Sequence, residues 1–432
     1  MKFRNHVRAA AVVTVAAVAL SACAWGGSGD TPNAGVSTAP SSSGEVSGTL
    51  TGIFFSGYKD TYEKIATAFE QKYPNVDVKF NYQGGDVGAL VMTQLQAGTA
   101  PDILTSFPGG DVKDNADNVV PLASQSRILP LTASWASEVP EAWRSSVTYE
   151  GKTYAYPGAL QPLAAIYNKS KLDELGLKIP TTLDEVYQLC TDAKSKGVYA
   201  YAQGLGEPAG PQMLTFGQMS TLSWGPDPEW DAKHARGEVS YSDPDSPWVA
   251  QFKIYKQMGD LGCFGDGALG RTRDQAGEVV AKGNALAMVD VGATLAPMLK
   301  LSPDTSFVTA AIPATNTGNT YIVALPGFVT TINAKAKNVA AAQAFLDFMG
   351  EPEQAATYAY GFQGVPVLPN DVYKAPAELT EFSKLIAEGK YAPLGSVQAE
   401  VQTTLNQGIQ SLILGKETPE GVAQKMEDVY KR

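Results

Sequence analysis

TGIFFSGYKDTYEKIATAFEQKYPNVDVKFNYQGGDVGALVMTQLQAGTAPDIL, residues 51–104, decides the fold class of this chain. Thr51 to Phe55 is a short apolar run, and Ser56-Gly57-Tyr58 is a turn. Tyr62, Ile65, Ala66, Phe69 and Tyr73 then recur at helical spacing until Pro74 stops them. Val76, Val78 and Phe80 alternate as a half-buried strand, and Val87, Leu90, Val91 and Leu95 return to helical spacing, closed by Gly98. Pro101-Asp102-Ile103-Leu104 opens another strand. Alternation of this kind gives an α/β fold with a parallel, helix-covered sheet. In such sheets ligands sit at the carboxyl ends of the strands, where the loops emerge.

The pattern returns downstream. Thr182 and Glu185 have capping-box spacing and open a helix whose buried stripe is Val186, Leu189, Cys190 and Ala193. Asn338 caps a helix with Ala342, Phe345, Leu346 and Met349 inward, ended by Gly350. Two terminal helices follow, one to about Gly415 and one starting at Thr418-Pro419, with proline at a favourable first position.

Upstream, Lys2, Arg4 and Arg8 precede an apolar run from Ala9 to Leu20. That run is shorter than the roughly 20 apolar residues a bilayer span takes and fits a secretory signal. Leu20-Ser21-Ala22-Cys23 resembles a lipobox, so residues 1–22 are expected to be removed and Cys23 acylated. Two or more acyl chains make a stable membrane anchor. Residues 23–46 then form a flexible tether of Gly, Ser, Thr, Pro and Ala, reaching about 25–30 Å. About 385 residues remain, enough for two lobes.

The net charge is −11, and loss of the three basic residues of the leader lowers it to −14. That argues against nucleic acid or an anionic membrane face as partner, both of which demand clustered Lys and Arg. Beyond Cys23 the cysteines are Cys190 and Cys263. They are either an unpaired core pair or a disulfide, and an oxidising compartment favours the disulfide; two isolated cysteines do not make a metal site. Beyond the leader the one histidine is His234, in a polar run, Asp231 to Glu238, that reads as solvated. Ser-His or Cys-His catalysis would have to rest on it alone. No metal, phosphate-cradle or dinucleotide motif occurs, so no cofactor and no catalytic residue are expected. A glycosidase needs only two facing carboxylates, and nothing among the 44 acidic residues singles out such a pair.

Several segments resemble the extracellular solute-binding proteins of ATP-binding-cassette importers, family 1, the carbohydrate group that includes maltose-binding protein. They are Ile65-Ala66 with Phe69-Glu70, Tyr73 to Val78, Leu95 to Leu104 (LQAGTAPDIL), Gly151 to Pro157 and Ile166 to Lys169. Pro180 to Glu185, Lys282 to Met288, Ala341 to Met349 and Gly361 to Pro366 continue the series in order. The resemblance implies a type II periplasmic-binding-protein-like fold, with ligand closed between two lobes joined by a multi-strand hinge. One lobe would be 47–159 plus 327–364, the other 160–326 plus 365–432. It further implies a monomeric, lipid-anchored protein on the outer face of the cytoplasmic membrane. Its partners would be a carbohydrate, the permease subunits of the importer and a cytoplasmic ATPase.

Sugars present apolar faces and rings of hydroxyls, so their sites combine aromatic platforms with short polar groups. The resemblance places Tyr58 and Lys59 after the first strand, Ser106 and Phe107 at the end of another, and Asp86 as helix cap or hydroxyl acceptor. Tyr156 lies in the Gly-Lys-x-Tyr motif and is expected to be partly structural. Gln161 stands where maltose-binding protein has a ligand-contacting acid, and Glu207-Pro208 matches a Glu-Pro contact pair there. Trp224, before Gly225-Pro226, is the expected loop platform, while Trp135, Trp143 and Trp248 are expected to pack in the core or on the surface. Gly292 stands where the family often carries Gly-Pro-Trp, a departure that puts maltodextrin in doubt; Phe328 and Gln363 fall on the hinge side. Other readings are a non-sugar solute such as a peptide, polyamine or metal chelate, a glycoside hydrolase, and an adhesive surface lipoprotein.

Overall fold

The computed structural model describes residues 45–431 apart from 85, 111–115, 208 and 396. The expected signal, Cys23 and nearly all of the tether lie outside the described residues, as does Pro208. In chain order the strands are Gly48–Phe55 (β1), Val76–Gln83 (β2), Ile103–Ser106 (β3), Thr148–Tyr149 (β4), Lys152–Thr153 (β5), Ala155–Tyr156 (β6) and Ala159–Asn168 (β7). Tyr199–Tyr201 (β8), Ala285–Val291 (β9), Phe307–Ala310 (β10), Ile322–Pro326 (β11), Val329–Ile332 (β12), Val365–Pro366 (β13) and Tyr391–Ala392 (β14) complete the set.

The local signals do what their chemistry predicts. The helix Lys59–Lys72 buries Tyr62, Ile65, Ala66 and Phe69. Val87–Ala97 is capped by the Asp86 carboxylate and ends at left-handed Gly98. Thr182 and Glu185 form the capping box of Leu183–Ser195, and the Asn338 side chain caps Val339–Met349. Asp102 fastens the start of β3 by accepting hydrogen bonds from the Thr51 amide and hydroxyl and from the amides of Lys337 and Asn338.

The strands form two main sheets, with β4 and β5 pairing separately. The first runs β2-β1-β3-β12-β6, with β1 parallel to β2 and β3, and β12 antiparallel to β3 and β6. The second runs β14-β11-β7-β9-β8, with β10 and β13 also paired to β7. All ten residues of β7 are buried, which fits a strand that hydrogen-bonds on both sides and is covered on both faces. Each sheet carries its own apolar core, around Phe54, Phe69 and Phe345 in one lobe and Trp248, Phe252 and Tyr255 in the other. Cys190 and Cys263 are disulfide-bonded within the second core, the alternative favoured from sequence.

The chain crosses between the sheets at 156–159, 326–329 and 361–365. Two glycines make these crossings possible. Gly158 has φ +68°, and a Cβ there would also press on the Tyr358 ring and the Phe328 carbonyl. A Cβ on Gly364 would lie 2.3 Å from the carbonyl oxygen of Leu160, closer than any side chain is tolerated. The Tyr358 hydroxyl donates to the Phe328 carbonyl at 2.9 Å and so ties the second crossing to the helix Pro352–Gly361 that leads into the third. The cores also reach across: Ile322, Ala324, Phe382 and Leu385 pack with the first core, and Trp143 stacks on Tyr391 at 5.4 Å.

Candidate ligand cleft

At the carboxyl end of β1 the chain leaves the first sheet through Ser56–Tyr58 and enters the helix Lys59–Lys72. This turn presents Tyr58 beside the crossings. Its ring stacks on Phe362 at 3.7 Å and 10°, and meets Phe328 and Phe55 edge-on at 6.2 and 5.8 Å. Phe328 in turn packs on Phe107 at 4.9 Å. Phe107, just past β3, is 40% exposed, an open ring at the end of an otherwise closed aromatic series. Gln161, on β7, donates from Nε2 to the Tyr58 hydroxyl at 3.3 Å. Burial pushes the Tyr58 phenol above its ordinary value, working against that hydrogen bond, so it stays neutral. Sequence thus picked out Tyr58, Phe107, Gln161 and Phe328, and the structure brings them into one chain of contacts.

The second sheet contributes charge. Asp290, next to last in β9 and 1% exposed, takes the Arg273 guanidinium on both carboxylate oxygens, with Nε at 2.8 Å and Nη2 closer still. The Arg273 amide donates to Oε1 of Glu207 at 3.0 Å, and the same oxygen lies 4.0 Å from Arg273 Nε. Pairing with Asp290 holds the guanidinium above its ordinary value. Gly292 follows directly on β9, and a Cβ there would lie 2.8 Å from the Gln363 carbonyl oxygen. The loop after β9 therefore rests on the third crossing, and Gln363 itself has φ +50°.

The remaining expected residues lie elsewhere or face inward. Ser106 is 2% exposed and its hydroxyl bonds Thr331 at 3.0 Å inside the first sheet. Tyr156 is fully buried between Trp135 and Tyr358. Lys59 is exposed and pairs with Glu63 at 3.5 Å. Asp86 caps its helix through the Ala89 amide at 3.0 Å, one of the two roles open to it.

Trp224 differs from the expected loop platform. The helix Gly210–Met219 runs on into a wide turn, Ser220–Trp224, whose i→i−5 bond goes from the Gly225 amide to the Ser220 carbonyl. That extra residue turns the indole inward against Phe216 and Trp248, where it is 3% exposed and covered by Gly395. His234 differs too. Its run is polar in sequence, but the ring stacks on Trp230, packs against Tyr241 and Tyr430, and bonds Glu427 at 3.0 Å.

Four residues of this region escaped the sequence reading. Phe362 stands beside Gln363 and ends the helix Pro352–Gly361. Arg273 and Asp290 are 17 positions apart with no motif; the available signal was a carboxylate at the end of the apolar strand ALAMVDV. Asp117 lies next to Phe107 in space, with its carbonyl accepting the Phe107 amide at 3.2 Å. Burial, helped by the Asp86 carboxylate, raises its carboxyl. Phe107 offers an open ring face and Tyr58 and Phe328 partly open ones, backed by the buried Phe362 and Gln161, which suits a ligand with apolar ring faces. Among the described residues no His/Cys/Asp/Glu group is arranged to hold a metal ion, and no helix is long and apolar enough to cross a membrane.

The sequence profile of a family described as bacterial extracellular solute-binding protein matches residues 56–356. A multiple sugar-binding protein of Streptococcus mutans is 26% identical over 317 residues, 71% of each chain. A maltooligosaccharide ABC transporter solute-binding lipoprotein of Streptococcus pneumoniae is 26% identical over 374 residues, 82% of this chain and 78% of that one. Among solved structures, a family 1 extracellular solute-binding protein from Bifidobacterium longum subsp. infantis superposes with a TM-score of 0.68 at 20% identity, covering 89% of this chain and 99% of its own.

Proposed function

The chain belongs to the bacterial extracellular solute-binding proteins, and on that premise we propose that it captures a carbohydrate, an oligosaccharide in particular, between its two lobes and delivers it to an ATP-driven membrane permease. The observation that carries this is the stepped aromatic series Phe362–Tyr58–Phe328–Phe107, edged by the Gln161 amide, at the junction of the two sheets. Aromatic faces take the apolar faces of sugar rings, and fixed amides take their hydroxyls. The names of the streptococcal relatives agree with a sugar cargo.

Binding follows from the hinge. Three crossings join the lobes, and a ligand that touches both walls stabilises the closed state by its differential contacts. The lobe division 47–159 plus 327–364 and 160–326 plus 365–432 belongs to this reading, supported by the membership of the two sheets. Acylation at Cys23, tethering through residues 23–46 and residence on the outer membrane face as a monomer belong to it as well. The chain performs no chemistry in this reading; the permease and its ATPase do the transport.

A thermal-shift screen of the full chain against mono- and oligosaccharides, polyamines and peptides tests it. Ligand at a hundredfold excess over Kd stabilises by about 2.7 kcal/mol. A rise in Tm with an oligosaccharide recovered intact is expected. A rise with amines or peptides only rejects the sugar, and recovered cleavage products reject the binding-protein reading.

A further inference from the structure

Two helices lie side by side in the second core, Gly210–Met219 and Pro247–Asp260. They run in opposite directions. The Leu205 amide donates to the Ala268 carbonyl at 3.1 Å and the Tyr201 amide to the Cys263 carbonyl at 3.0 Å, which puts the start of the first helix beside the end of the second. At the other end Trp224, just past the first helix, packs on Trp248, at the start of the second. In between, Gln251 Nε2 donates to Gln218 Oε1 at 3.2 Å and fixes the level at which the two helices meet.

This seam is polar where a core is ordinarily apolar. Thr215 and Gln218 share one face of the first helix, and Gln251 and Tyr255 share one face of the second, at spacings of three and four residues. All four are fully buried. Gln218 Nε2 donates to the Pro313 carbonyl at 3.4 Å, which fixes the orientation of its amide. Gln218 Oε1 therefore accepts from Gln251 Nε2, and Gln251 Oε1 is turned away, with no hydrogen-bond partner among the described residues. The hydroxyls of Thr215 and Tyr255 have none either. In an antiparallel pair, one turn back from Gln218 to Thr215 and one turn on from Gln251 to Tyr255 lead to the same level. Three polar groups without protein partners thus come together in a closed core. A buried polar group left unpaired is destabilising, so the three call for a common partner.

We propose that Thr215, Gln251 and Tyr255 bind one ordered, long-lived water molecule, sealed between the two helices as part of the second lobe. The chemistry of the three groups selects it. Gln251 Oε1 only accepts, whereas each hydroxyl both donates and accepts, so the occupant donates to the amide oxygen and exchanges hydrogen bonds with the hydroxyls. Burial pushes the Tyr255 phenol up from its ordinary value, so it stays a neutral O–H. None of the three groups is charged, and an ion there would lack the counter-charge that burial demands. A buried water makes about three hydrogen bonds in such a site. It extends the join that Gln218 and Gln251 begin, and through Gln218 that join reaches Pro313, in the segment that follows β10. The site does not depend on what the cleft binds.

A high-resolution crystal structure of the full chain, with thermal melting of single and double variants, tests the proposal. A water oxygen within hydrogen-bonding distance of Thr215 Oγ1, Gln251 Oε1 and Tyr255 Oη is expected. Thr215→Val keeps the shape of its side chain and Tyr255→Phe keeps its ring. Each should lower Tm by about 2–4 °C, because the water and its remaining partners lose a hydrogen bond. The double variant should lose clearly less than the sum of the two, since both substitutions act on one molecule. Water magnetic relaxation dispersion should count one long-lived water fewer in the double variant than in the wild type. In a dry core the sign reverses, because removing an unpaired buried hydroxyl is stabilising. A rise in Tm for either single variant therefore overturns the proposal. So do additive losses, an ion in place of the water, or a direct protein hydrogen bond to any of the three groups in the crystal.

Discussion

In the proposed cleft the two sheets would hold a polar ring by opposite means. On the first, Phe107 and the partly open Tyr58 and Phe328 offer area, backed by the buried Phe362, and Gln161 hydrogen-bonds Tyr58. On the second, Arg273 and Asp290 fix each other as an ion pair, and Glu207 is held by the Arg273 backbone amide. Contact area falls away gradually as rings are trimmed. A buried ion pair fails abruptly, because removing one member strands the other in a place water does not reach. The aromatic side should therefore tolerate substitution more gradually than the charged side.

The sharpest way to break this contrast is Arg273→Ala. It leaves the Asp290 carboxylate buried without its partner and should cost about 3–5 kcal/mol in urea unfolding; a loss under about 1 kcal/mol would mean the pair has no role in holding that wall. Next in size is the disulfide. Cys263 begins the loop that Arg271 holds through the carbonyls of Phe264 and Asp266, and that loop leads into Arg273. Replacing Cys190 and Cys263 by serine together should cost about 2–4 kcal/mol, and hydrogen exchange should place the loss in the second lobe. Uniform loss across both lobes would show that the cores reaching across the hinge bind the two walls into one unfolding unit.

On the first wall the effects should be smaller. Tyr58→Phe removes the hydrogen bond from Gln161 and keeps the stacking on Phe362, for about 1 kcal/mol of stability. Phe107→Ala takes away an open ring and should change stability by no more than about 0.5 kcal/mol. It should nevertheless weaken sugar affinity by roughly two- to tenfold, the worth of one stacked pair, read by titration. A stability loss at Phe107 as large as that at Arg273 would erase the difference between the walls.

The first wall was also the more legible in sequence. The resemblance places Tyr58, Phe107 and Phe328 near strand ends and the hinge side, where a family alignment carries over position by position, whereas Phe362 at the end of a helix is missed. The caps at Asp86, Thr182 and Asn338 were legible because a cap needs only a residue type at a fixed distance from the first helical turn. The Arg273–Asp290 pair has no such local signature, since it is made by two segments meeting across a strand and the start of a helix. His234 and Trp224 misled for a related reason. Burial of His234 depends on Glu427 and Tyr430 in the last helix, nearly two hundred residues away, and the inward turn of Trp224 depends on one hydrogen bond that shifts register by a residue. Neither leaves a mark on the neighbouring sequence.

The position of β12 in the first sheet carries a consequence for how the molecule is made. It lies between β3 and β6, yet it is the last of the five strands to appear in the chain, ending at Ile332. A growing chain that has not reached Ile332 holds β1, β2 and β3 with an open edge and β6 with no neighbour to pair with. Pairings between residues this far apart in sequence are slow to form. A chain that folds from its first residues onward would be locked before any machinery that threads an extended polypeptide could move it. The first sheet of this one cannot be completed until most of the chain has been synthesised.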